Sequence, residues 1–163
     1  MTEPYEGQPF LNTLRAVSVS AREFARLGDC LSDGVQSSFG ETIDRKPNVR
    51  RSPDRCIIQV GPCAVTVAWI RNRHDAAEGE LLIIHWRGTV APATQSQFER
   101  ARELTLTATP LSESVFVADA TSETDWMWRS REEPLLRYSS ASLATWVIER
   151  LRIVRDEIGS EAS

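Results

Sequence analysis

Two apolar runs that meet at Gly61-Pro62 constrain this chain more than any other feature. ArgCysIleIleGlnVal (55–60) and CysAlaValThrValAlaTrpIleArg (63–71) are rich in β-branched residues and are separated by two turn residues, the pattern of a tight β-hairpin. Glycine first and proline second suits a type II′ turn, whose first residue needs positive φ and whose second needs a φ near the value proline imposes. That turn fixes the register: Cys63 faces Val60, and Cys56 faces Val67. In the second strand Cys63, Val65, Val67 and Trp69 share one face, and Ala64, Thr66, Ala68 and Ile70 share the other. The predicted pairing leaves Cys56 and Cys63 about 13 Å apart at about 3.3 Å per residue, too far for a disulfide. With Cys30 the cysteine count is odd and contains no CxxC pair. Such a set fits a reducing compartment, so a cytoplasmic location is expected.

Strand patterns continue beyond the hairpin. LeuLeuIleIleHisTrpArg (81–87) is apolar on both faces and is expected at the centre of a sheet. LeuThrLeuThrAlaThr (104–109), SerValPheValAlaAsp (114–119) and AspTrpMetTrpArg (125–129) alternate with a period of two, with Pro110 and Thr121-Ser122-Glu123 as breaks. Residues 93–103 read either as a short helix capped by Thr94, the favoured reading, or as the lead-in to a strand.

Helical periods flank these strands. Phe10, Leu14, Val17, Ala21, Phe24, Gly28, Leu31 and Val35 recur at alternating steps of four and three, and Gly40 is the expected stop. This seam admits two readings, an amphipathic helix packed on its own sheet or a coiled-coil-like homodimer contact through the N-terminal helix. A second helix, over 139–159, is capped by Ser139 or Ser140, turns Leu143, Ala144, Val147, Ile148, Leu151, Val154 and Ile158 inward, and ends at Gly159.

The predicted fold is a single α+β domain spanning 1–163: an N-terminal helix (10–40), a basic loop (41–54), an antiparallel meander sheet of five or six strands (55–130) and a C-terminal helix (139–159), both helices on one face of the sheet. In architecture alone this order is similar to that of bacterial class I secretion chaperones and related adaptors. No sequence motif carries the likeness.

The chemistry legible in the chain is sparse. Only His74 and His85 could supply an imidazole base. No GxSxG elbow, HExxH pair, phosphate loop or GxGxxG turn occurs, so no catalytic residue, metal ligand or cofactor is assigned. Three groups remain as candidates. Trp126 and Trp128, two apart and beside Arg129, form either a ligand-facing aromatic pair or two core residues on one strand face, and His85 lies between Ile84 and Trp86 in the central strand. The third group, Arg45, Lys46, Arg50 and Arg51, is the concentrated positive stretch and is read as a partner-binding loop. The formal net charge is −4, which argues against a general nucleic-acid binder. No apolar run approaches the length of a membrane span. Of 19 cations only Lys46 is a lysine, an arginine bias that points to a GC-rich bacterial genome. The expectation is a small intracellular bacterial protein-binding domain without catalysis. The alternatives are a small-molecule site between helix and sheet, and a nucleic-acid contact through 45–55.

Overall fold

In the computed structural model, which describes residues 8–40, 47–90 and 108–161, seven strands follow one another as a simple meander between two helices. The strands are β1 (Asn48–Ser52), β2 (Arg55–Val60), β3 (Cys63–Arg71), β4 (Gly79–Arg87), β5 (Thr109–Asp119), β6 (Met127–Ser130) and β7 (Arg137–Tyr138), paired antiparallel in that order. Helix α1 spans Leu14–Phe39 and helix α2 spans Ser140–Glu161. The chain is a single α+β domain, and its sheet has more strands than the five or six expected.

The β2–β3 hairpin has the predicted register, with Val60 opposite Cys63 and Cys56 opposite Val67. Gly61 adopts a φ of +54°, as the tight turn requires. The three cysteines are free thiols.

Helix α1 begins at Leu14 rather than Phe10, because Thr13 accepts the Ala16 amide hydrogen as N-cap and Pro9–Asn12 form a separate 3₁₀ turn. Its buried stripe is Ala16, Val19, Ser20, Glu23, Phe24, Leu27, Gly28, Leu31, Val35 and Phe39. A straight helix of 3.6 residues per turn drifts from a strict heptad. The predicted seam therefore joins the buried stripe only from Phe24 onward, while Leu14 and Ala21 face solvent. Phe24, Gly28, Leu31 and Val35 are buried within this chain, and α1 packs along α2. Ser139 caps α2 by accepting the Ser142 amide hydrogen at 3.1 Å. Gly159 lies inside α2, which runs on to Glu161. One glycine near a helix end costs about 1 kcal/mol and does not by itself stop the helix.

Two further boundaries differ from those read in the sequence. Within 41–54, residues 48–52 are not loop but the edge strand β1, joined to β2 through Pro53-Asp54 with Ser52 opposite Arg55. Apart from Val49, which packs against the core, its side chains are polar or cationic, which hides a strand from hydrophobic patterning but is common at a sheet edge. Pro110 does not break a strand either. It sits in β5 opposite Trp86, next to a register shift between His85 and Trp86. Strand β6 pairs only with 116–119, so proline's missing N–H costs β5 no pairing toward β6. The expected helix over 93–103 and the strand positions 104–107 lie outside the described residues.

Both helices cover the same face of the sheet. There Cys56, Ile58, Val60, Cys63, Val65, Val67, Trp69, Leu81, Ile83, Phe116, Ala118, Trp126 and Trp128 join α1 and α2 in one core. Among the described residues no helix lies on the opposite, outer face.

Candidate functional site

Trp126 and Trp128 belong to the core. They are 6% and 0% exposed, and Trp128 packs edge-on against both Trp126 and Trp69, with ring centroids 5.4 and 5.2 Å apart. Buried indoles need an acceptor for N–H. Trp69 Nε1 donates to Ser20 Oγ at 3.3 Å, and Trp128 Nε1 donates to Ser140 Oγ at 3.0 Å. The Ser140 hydroxyl lies 3.0 Å from Glu23 Oε1, to which it donates, so the first turn of α2 is tied to buried Glu23 of α1. Arg22 and Arg26 flank that carboxylate at 3.5 and 3.2 Å. Trp126 Nε1 is buried without a hydrogen-bond partner among the described residues. A ligand could reach this pair only if the core opened.

His85 is likewise buried, 1% exposed, on the inner face of β4. Its Nε2 lies 3.1 Å from the Val147 carbonyl oxygen, which can only accept, so Nε2 carries the hydrogen. Nδ1 is then left to accept from Ser112 Oγ at 3.4 Å. Burial holds the imidazole pKa below its usual value, with Arg150 acting in the same direction. This is a neutral ring pinning α2 to the sheet, edge-on to Trp146.

The basic stretch does not form one patch. Arg45 and Lys46 lie outside the described residues. Arg51 turns inward, giving Nη1 to Asp29 at 2.7 Å and Nη2 to the Ala25 carbonyl at 2.9 Å, which fastens β1 to α1. Strand alternation sends Arg50 the other way, to the outer face.

The outer face carries the least explained chemistry. Register brings Arg50, Ile57, Thr66, Ile84 and Glu113 into one row across β1 to β5. Arg55, Ala68, Leu82 and Val115 form the next row. Ile57, Thr66, Ala68, Leu82, Ile84, Trp86, Val115 and Val117 are all only partly buried, and Ile70 is 52% exposed. At one end Ala64 is sealed by Val90 and Ala108. At the other, Asp119 receives Arg137 at 2.8 Å, Arg129 at 3.5 Å and the Gln8 amide at 2.5 Å, while Arg131 pairs with Glu80 at 2.8 Å. Val117, Arg129, Ser130, Arg131 and Pro134 line a pocket of about 260 Å³ there. No tryptophan borders it.

The signal for this face was present in the sequence. Strand 81–87 is apolar on both sides, which suggests burial on both sides; the helices satisfy only one. Among the described residues no three His, Cys, Asp or Glu side chains are grouped to hold a metal ion, and no helix is long and apolar enough to cross a membrane. No family model, curated protein or solved structure matches the chain.

Proposed function

We propose that this chain is a protein-binding domain of the adaptor or chaperone-like kind, acting without chemistry of its own, and that the outer face of its sheet is the binding surface. The observation that carries the reading is the partly exposed apolar field of Ile57, Ala68, Ile70, Leu82, Ile84 and Val115. Contiguous apolar surface of this kind on a folded domain marks an interaction site. A small-molecule site built from aromatic rings has less support, because Trp69, Trp126 and Trp128 fill the core and the pocket beside Val117 contains no ring. A nucleic-acid contact through 45–55 is weakened because Arg50 and Arg51 point to opposite faces and Arg51 is held by Asp29. Self-association through α1 would have to use Leu14 and Ala21, since the rest of that seam from Phe24 onward is buried. The reading places the protein in a bacterial cytoplasm, in keeping with its free thiols; burial pushes those of Cys56 and Cys63 up to about 11.

Affinity capture from the source organism, comparing the wild-type chain with Ile70→Asp and Leu82→Asp, tests this. Proteins retained by the wild type and lost with both variants, at unchanged circular dichroism, support the reading. A captured set identical across all three contradicts it.

A further inference from the structure

We propose that the occupant of the outer face is a second copy of this chain, packed sheet to sheet about a two-fold axis that runs parallel to the strands over β3. The proposal rests on the protein-binding reading of this face and names its partner. The row Arg50–Ile57–Thr66–Ile84–Glu113 carries the argument. It has a cation at one end, a carboxylate at the other, and only aliphatic or β-branched side chains between them. A two-fold axis along the strands and over β3 reverses the row. Arg50 then meets Glu113 of the partner subunit, Ile57 meets Ile84 of the partner subunit, and Thr66 lies on the axis.

Such a contact satisfies both ends at once, which is the self-complementarity an isologous dimer requires. Neither Arg50 nor Glu113 has an ion-pair partner among the described residues, and both side chains are exposed. The next row agrees, laying the Arg55 stem along Leu82 of the partner subunit, where a long aliphatic stem covers apolar surface while its head stays in water. Two sheets of the same twist pack face to face at about 30° with their side chains interdigitated. Arg50 and Glu113 are four strand spacings apart, about 19 Å at about 4.8 Å each. With about 20 Å along the strands, the field has a footprint of about 380 Å², about half of the roughly 800 Å² per partner that standard interfaces bury, which fits a weak, reversible dimer.

Sedimentation equilibrium of the full chain between about 1 and 100 μM, a range that detects micromolar affinity, tests the proposal. The wild type is expected to be a reversible dimer. Arg50→Glu and Glu113→Arg each place like charges at both ends of the row and are expected to weaken it by about tenfold or more. Combining the two substitutions re-forms both pairs with signs exchanged, and is expected to return the affinity to within about threefold of wild type. Circular dichroism checks that all three variants fold. A monomer throughout the range overturns the proposal while leaving the face to an unrelated protein partner. A dimer indifferent to the single substitutions, or one the double variant fails to restore, overturns it too.

Discussion

The guanidinium of Arg51 occupies the space a Cβ on Gly28 would need: an ideal Cβ there would lie 2.7 Å from Arg51 Nε and Nη2. A glycine in mid-helix, costly by about 1 kcal/mol relative to alanine, is thereby matched to one arginine of the edge strand. Arg51→Ala removes a charge-assisted pair and a bond to the Ala25 carbonyl from a partly exposed site, and is expected to cost about 1 kcal/mol in urea unfolding. Gly28→Ala displaces a flexible side-chain end, so the helix gain and the lost clamp should cancel to within about 1 kcal/mol. Arg50→Ser, measured at dilute protein, should stay within about 0.5 kcal/mol of wild type.

Gly79 presents the opposite case. A Cβ there would collide with the backbone carbonyl of Ile70, which cannot swing aside. Gly79→Ala is therefore expected to cost about 3 kcal/mol or more. Gly34→Ala meets only the Cδ1 end of Ile148 and should cost about 1 kcal/mol. Denaturant midpoints at constant slope would order the three alanines as Gly28, Gly34, Gly79.

The two tryptophans of β6 and its lead-in should respond differently to loss of the indole nitrogen. Trp126→Ala and Trp128→Ala each remove a buried ring and are expected to cost about 3–5 kcal/mol. Trp128→Phe also strands the Ser140–Glu23 pair without its donor, whereas Trp126→Phe deletes a buried N–H that has no partner among the described residues. Trp128→Phe should be worse by about 1–3 kcal/mol, the cost of an unmade buried hydrogen bond. Equal losses in urea unfolding would contradict the assignment.

Stability should depend on pH through His85. Its folded pKa lies below its ordinary value of 6.5, so between the two values the unfolded chain binds a proton that the folded chain does not. The contribution is complete above about pH 6.5 and is lost as pH falls from there toward the folded value. Unfolding free energies of wild type and His85→Gln, followed from pH 8 to pH 5, should show the variant losing less over that window.

How much of this was legible follows from which residues carried a period. The hairpin at Gly61-Pro62 was readable to the residue because turn chemistry and alternation agree there. Strand β1 was not, since Asn48, Arg50 and Ser52 are polar and Arg51, although inward, is charged. Pro110 looked like a break because a proline's tolerance depends on which side of the strand is paired, and only the sheet order shows that. Trp126 and Trp128 could be placed on one face from their spacing, but which face the helices cover is a tertiary fact. The row from Arg50 to Glu113 joins residues from five strands, and no local window contains it.

The central claim, that the outer face is where this chain meets protein, is tested most directly by site-specific photocrosslinking. A photoreactive phenylalanine analogue placed at Leu82 samples the outer face, and one placed at Ile153, exposed on α2, samples the helical side. In cells of the source organism, Leu82 is expected to give discrete protein adducts and Ile153 none, the adduct mass showing whether the partner is a second copy. No adduct at Leu82, or the same adducts from both positions, would contradict the account.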